Sequence, residues 1–222
     1  MKAKNRFRNR TDAGVKLAEK LAAYKGQKNL LVLALPRGGV PVGYEVANFL
    51  DAPFDIFLVR KLGVPGQEEL AMGAIASGGI RILNEDIIRM AQIPVQDIEA
   101  ETRKEEQELQ RREREYRGDR PMPELEGRRI ILVDDGLATG ASMKAAVAAL
   151  RDRNVAEIIV AVPTASPDTC SEFEAMVDQV ICARTPEPFG GVGAWYEDFS
   201  QTTDDEVRKY MQLAEENLPT PS

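Results

Sequence analysis

The chain has 222 residues, 43% of them hydrophobic, which is enough for one sizeable core and too much for a disordered chain. Its formal net charge of −7 argues against a general nucleic-acid surface, which needs concentrated Lys and Arg. It contains no histidine, which removes Ser-His-Asp and Cys-His catalysis and imidazole zinc sites together. Cys170 and Cys182 are not in a Cys-x-x-Cys arrangement; both are expected to be reduced and buried, in a cytoplasmic protein. Residues 1–10 are basic and polar without an apolar centre, so no signal peptide is expected, and no apolar run reaches membrane-spanning length.

In chain order, Thr11 is expected to cap a first helix carrying Val15, Leu17, Leu21 and Tyr24, ended by Gly26. Leu30 to Leu35 is a continuous apolar run, the pattern of a strand buried on both faces. Pro36-Arg37-Gly38-Gly39 breaks it, and a helix follows from about Pro41 to Leu50. Phe54 to Val59 reads as a second buried strand ending at Arg60-Lys61. Gly63 to Gly79 reads as a mobile loop leading into a short strand near Ala71 to Ala76, with another at Ile80 to Leu83. Asn84 or Glu85 opens a helix. Val95 to Arg117 is a long charged helix with Glu and Arg at helical spacings. Its thin apolar stripe (Val95, Ile98, Leu109, Tyr116) is expected to pack narrowly or on a partner subunit. Strands at Ile130 to Val133, Ile158 to Val162 and Gln179 to Cys182 alternate with helices at Ala141 to Leu150 and near Asp168 to Met176. A Pro/Gly loop spans Thr185 to Gly193, and a last helix starts near Asp204. Alternating strands and helices predict an α/β fold: a central parallel sheet flanked by helices on both faces. Ligands in such sheets bind at the carboxyl ends of the strands.

One of those ends carries most of the chemistry. The strand Ile130 to Val133 runs into Asp134 and Asp135, then into a small-residue loop and a helix. Ala138-Thr139-Gly140-Ala141-Ser142 can offer backbone N–H groups and two hydroxyls to an anion at the helix N-terminus. The carboxylates would repel a phosphate but accept hydrogen bonds from sugar hydroxyls. A ribose 5-phosphate satisfies both halves. For each residue alone, a capped turn explains the sequence as well. The loop lacks the Lys of a triphosphatase phosphate loop, and Gly190-Gly191-Val192-Gly193 lacks dinucleotide-fingerprint spacing.

Ile130 to Ser142 resembles the binding motif for 5-phosphoribosyl-1-pyrophosphate (PRPP) of the type I phosphoribosyltransferases. Val133 to Gly140 is especially similar to adenine phosphoribosyltransferases. Leu35 to Pro41 sits where that family has its pyrophosphate loop. Phe57 to Gly63, Phe7 to Leu17 and Pro188 to Val207 resemble a bacterial subfamily described only as predicted phosphoribosyltransferases. The resemblance implies one domain over residues 1–222, with a helical insertion at about 85–120 and a small hood at about 184–222. It implies that Asp134 and Asp135 hold the ribose hydroxyls and Ala138, Thr139, Gly140, Ala141 and Ser142 the 5-phosphate. Arg37, Gly38 and Gly39 would meet the pyrophosphate, with positive charge from Arg60 or Lys61. Asp134, Asp135, Arg37 and Lys61 are the expected catalytic set. Mg²⁺ would be carried by PRPP near Asp134 and Asp135, without a certain protein ligand. Gly63 to Gly79 corresponds in position to the family's closing loop. Enzymes for hypoxanthine or guanine carry an Asp where this chain has Ala138, which leaves adenine, uracil-like or non-base acceptors open.

The expected activity is transfer of the 5-phosphoribosyl group from PRPP to a nitrogenous acceptor with release of pyrophosphate. The expected partners are small molecules and a second copy of the chain in a homodimer, with no nucleic acid and no membrane. Two alternatives are non-catalytic PRPP sensing and hydrolysis or phosphorolysis of a phosphorylated ribose. Trp195, Tyr196 and Phe189 are expected first as packing residues, second as a base-stacking surface. Arg6, Arg8 and Arg10 are expected first as a solvated terminus or intersubunit contact, second as a phosphate-binding arm.

Overall fold

A computed structural model describes residues 6–217, and of Glu68 and Glu69 the backbone alone. Five strands form a parallel sheet: β1 (Leu30–Ala34), β2 (Phe54–Ile56), β6 (Arg129–Val133), β7 (Glu157–Thr164) and β8 (Gln179–Arg184), in the order β2-β1-β6-β7-β8. Between β2 and β6 the chain forms an antiparallel sheet of β3 (Val59–Val64), β4 (Gln67–Ala76) and β5 (Ile80–Leu83). The helices are α1 (Arg10–Lys20), α2 (Gly39–Leu50), α3 (Glu85–Met90), α4 (Val95–Arg117), α5 (Ala141–Arg151), α6 (Pro167–Glu174) and α7 (Asp204–Glu216).

The unbroken apolar strands are buried on both faces because successive side chains point to opposite sides. Val32, Ile131, Val133, Ile159 and Ala161 join the core beneath α1, α2 and α7. Leu31, Leu33, Ile130, Leu132, Ile158 and Val160 join the second core, beneath α5 and α6. The parallel α/β architecture read from the sequence is the one observed. No helix among the described residues is long and apolar enough to cross a membrane.

Several local expectations need correction. Asn9, not Thr11, caps α1: its side chain accepts from the amide of Asp12 at 2.9 Å. The core strand after α2 ends at Ile56, and Arg60-Lys61 lie on β3 of the second sheet. Gly63 to Gly79 is not a loop leading into a short strand; most of it is the β3–β4 hairpin. Its glycines serve packing as well as turning. Gly66 takes φ +77° at the hairpin turn, whereas a Cβ on Gly73 would lie 2.4 Å from the carbonyl oxygen of Ile82. The cysteines are not reduced. Cys170 on α6 and Cys182 on β8 form a disulfide, because the connection between them folds α6 back onto β8.

The helix α4 has the bounds its charge pattern predicts. Its narrow buried stripe, Ile98, Thr102, Glu105, Leu109 and Tyr116, packs within the chain, while Val95 is 73% exposed. Its last residue, Arg117, reaches the core edge, where Nε lies 3.1 Å from Asp55 and Nη2 donates to the carbonyl of Ile56 at 3.0 Å. Burial raises the Asp55 pKa and the arginine opposes that rise.

Candidate active site

The strands β1 and β6 are ladder neighbours, with Ala34 paired to Val133. From β1 the chain turns through α2 to β2 on one side; from β6 it turns through α5 to β7 on the other. The two exits therefore diverge, leaving a crevice at their carboxyl ends, the place where open α/β sheets bind ligands. Pro36 to Gly39 lines one side of it and Asp134 to Gly140 the other.

The two segments touch. A Cβ on Gly38 would lie 2.1 Å from Oδ2 of Asp135, and one on Gly39 would lie 2.8 Å from the carbonyl oxygen of Val133. Only glycine allows this approach. The Pro36–Arg37 peptide is cis. On the β6 side, Oδ1 of Asp134 accepts the amide of Asp135 at 2.8 Å. Burial pushes the Asp134 carboxyl well up and the adjacent Asp135 charge adds to it; burial also raises Asp135, with Arg10 opposing.

Arg10 is the residue that sequence reasoning placed wrongly. Its side chain is only 11% exposed, with Nε 2.9 Å and Nη2 2.8 Å from Oδ2 of Asp135. Nη1 donates to the carbonyl of Ser200 at 2.6 Å, and the guanidinium lies 4.1 Å from the ring centre of Phe199. Tyr196 also reaches this point, its hydroxyl donating to the carbonyl of Asp135 at 2.6 Å. Tyr196 and Trp195 are buried, and the Trp195 indole N–H donates to the carbonyl of Phe189, so these aromatics pack the segment that carries them.

After the carboxylates, Leu137 bonds back to Thr164 and the loop turns into α5 through Gly140, at φ +67°. A Cβ there would lie 2.5 Å from the Phe173 ring, so both backbone and space require glycine. Thr169 on α6 donates to the carbonyl of Ala138 at 3.0 Å, holding the loop from outside. No side chain caps α5, and Thr139 and Ser142 are exposed at its mouth. That leaves a helix N-terminus with small residues around it, a geometry suited to an anion.

The basic residues are distributed unevenly. Arg37 lies 3.5 Å from Asp204 at the start of α7. Arg60 pairs with Glu105 of α4 at 2.6 Å. Lys61 is exposed, and with Arg60, Glu101, Glu105 and Ser142 it lines a cavity of about 350 Å³. The second sheet thus brings Arg60 and Lys61 to the start of α5. Among the described residues, no group of three or more Cys, Asp or Glu side chains converges to hold a metal ion. A hard cation here would need oxygen ligands from elsewhere, with Asp134 and Asp135 the carboxylates at hand.

A separate cavity of about 510 Å³ lies near the amino ends of β6 and β7, lined by Ser77, Met122, Glu124, Arg153 and Asn154 among others. It is roomier but remote from the paired carboxylates and from the strand ends where this fold binds ligands.

Comparison with known proteins shows the family and the fold. TT1426 from Thermus thermophilus, of known crystal structure, is 41% identical and superposes with a TM-score of 0.82, over 93% of this chain and 97% of that one. Two Mycobacterium tuberculosis proteins, each named "putative phosphoribosyl transferase", are 46% identical over 208 residues. That match covers 94% of this chain and 47% of each relative, so the chain spans about half the length of the curated relatives it matches. The phosphoribosyl transferase domain matches residues 66–190, which include both carboxylates and the start of α5. With the matched domain covering more than half of its length, the chain belongs to the phosphoribosyl transferase domain family.

Proposed function

We propose that this protein transfers the 5-phosphoribosyl group of PRPP to a nitrogenous small-molecule acceptor, releasing pyrophosphate. The observation that carries the reading is the direct packing of Gly38-Gly39 on Asp134-Asp135 beside the start of α5. It sets side by side residue types suited to a diphosphate, a diol and a phosphate, which supports PRPP as the ligand.

In this reading the first turn of α5, with Thr139 and Ser142, takes the 5-phosphate. Asp134 and Asp135 accept hydrogen bonds from the ribose hydroxyls. The pyrophosphate meets Arg37 and the amides of Arg37 and Gly38, since the Gly39 and Val40 amides already donate to Leu35 and Arg37. When the bond from C1 to the pyrophosphate oxygen breaks, its electron pair leaves with pyrophosphate, these donors stabilise the charge, and the acceptor nitrogen's lone pair forms the new bond to C1 as its proton is lost to water. Lys61 adds charge from β3. Mg²⁺, if held near Asp134 and Asp135, would neutralise part of that charge. The carboxylate pair also stabilises the positive charge that develops on the ribose ring.

The test is a pyrophosphate-release assay with PRPP, Mg²⁺ and a panel of purines, pyrimidines and amines. Release that depends on both PRPP and an acceptor is expected, together with its loss in Asp135→Asn. PRPP binding without turnover across the panel would favour a sensor. Ribose 5-phosphate released without an acceptor would favour hydrolysis. An Asp135→Asn protein that binds and turns over normally would overturn the site assignment. A role inside the cell and assembly as a homodimer are proposed on the family resemblance.

A further inference from the structure

We infer that Arg10 is a positioning residue that fixes Asp135 for recognition of the ribose hydroxyls and ties it to the C-terminal segment. The inference rests on the functional reading above, which assigns Asp135 to the diol, and adds a residue which that reading does not use.

Three contacts made by one guanidinium support it. Two nitrogens, Nε and Nη2, lie within 2.9 Å of the same oxygen of Asp135. The third, Nη1, donates to the carbonyl of Ser200. The flat face rests on Phe199 at 4.1 Å. This uses the planar fork and the apolar face of arginine at once, which lysine cannot do. Both nitrogens converge on Oδ2, so one rigid group sets where the Asp135 carboxylate lies. The carboxylate is thus held at Oδ2 by the guanidinium, beside the glycine pair.

Two further contacts limit where that carboxylate can go. Gly38 fills the space next to Oδ2, and Tyr196 holds the Asp135 carbonyl from the C-terminal segment. Phe7, three residues before Arg10, pairs with that segment through its amide to Trp195 and its carbonyl to Glu197, each at 2.8 Å. Residues 7–10 and 195–200, far apart in sequence, therefore converge on one carboxylate of the motif. Arg10 is the side chain that joins them to it.

A positioning role makes a prediction that a merely structural role does not. Arg10 should govern discrimination between sugars with and without the hydroxyl that Asp135 accepts, and leave phosphate binding at α5 alone. The experiment measures calorimetric affinities of the full chain for ribose 5-phosphate, its 2-deoxy and 3-deoxy analogues, and inorganic phosphate. Wild type, Arg10→Lys and Arg10→Ala are compared, with thermal unfolding of each. Wild type is expected to prefer ribose 5-phosphate over at least one deoxy analogue. In Arg10→Ala that preference should fall by about tenfold or more, the scale of one hydrogen bond to a charged group. Phosphate affinity should stay within about twofold, and Arg10→Lys should recover part of the preference. An equal loss for all ligands would reduce Arg10 to a structural role and overturn the inference, as would unchanged discrimination. Tighter binding of ribose 5-phosphate by Arg10→Ala would show that Arg10 obstructs the site, and would also overturn it. If wild type itself does not discriminate, the diol assignment of the carboxylates fails first.

Discussion

Replacing Gly38 with alanine tests the contact between the glycine pair and the carboxylates directly. The backbone there has φ −61°, ordinary for alanine, so the substitution acts only through the added methyl. That methyl would sit 2.1 Å from Oδ2 of Asp135 and 2.7 Å from its Cγ. Ordinary van der Waals contact starts near 3.4 Å, so the carboxylate must retreat by about 1.3 Å. A shift of that size breaks the paired contacts to Arg10, since N···O distances below 3 Å would exceed hydrogen-bonding range. Overpacking of this kind costs about 1–3 kcal/mol. At roughly 2–4 °C per kcal/mol for a chain of this size, Tm should fall by about 2–12 °C. Binding should suffer more: losing a hydrogen bond to a charged group, about 1.5–3 kcal/mol, weakens ribose 5-phosphate roughly ten- to a hundredfold. Gly39→Ala is the companion. Its methyl meets backbone, the Val133 carbonyl at 2.8 Å and the Asp134 Cα at 2.9 Å, which cannot swing aside. It should therefore lower Tm more than Gly38→Ala does. Calorimetric titration and differential scanning calorimetry read both effects. A Gly38→Ala protein with wild-type affinity for ribose 5-phosphate would refute the contact between the glycine pair and Asp135 as an element of the site.

Three other perturbations test the surroundings. Arg117→Met strands Asp55 in a site where the two side chains are 4% and 7% exposed, and should cost about 3–5 kcal/mol in chemical denaturation. Phe173→Ala removes a fully buried ring against Gly140; it should cost about 3–5 kcal/mol, and faster amide exchange is expected at Thr139 and Gly140. Reducing the Cys170–Cys182 disulfide, which closes a loop of 12 residues, should lower stability by about 3 kcal/mol on the chain-entropy estimate, read as a Tm drop in a dithiol buffer.

How far the sequence speaks depends on whether a residue's reason is local. The strands β1 and β6 are legible because burial on both faces demands unbroken apolar runs, and Leu30 to Ala34 and Ile130 to Val133 supply them. The bounds of α4 are legible because its Glu and Arg pairs recur at helical spacing, as in Glu108 with Arg111 and Arg112. The β3–β4 hairpin is not, since glycine reads as flexibility when its reason is a distant carbonyl. Gly73 is glycine because Ile82 passes close to it, a fact of the folded chain. The carboxylate pair and the glycine pair stand out as strings, and the fold sets them side by side. Arg10 does not stand out, since an arginine in a polar terminus looks solvated whatever it later touches. The pairings of Arg37 with Asp204 and of Arg60 with Glu105 join elements far apart in sequence, and no spacing rule announces them.

The Arg10 contacts also bear on when the site comes into being. Arg10 is separated from Asp135 by 125 residues and from Ser200 by 190. Closing loops of that length is slow and entropically unfavourable compared with local pairing. During synthesis the carboxylates of β6 can join the sheet well before Ser200 leaves the ribosome. The proposed diol site is then one of the last parts of the molecule to reach its final form. Upon refolding, recovery of ribose 5-phosphate binding should trail recovery of the helical signal, and nascent chains cut before Ser200 should carry the sheet without that site.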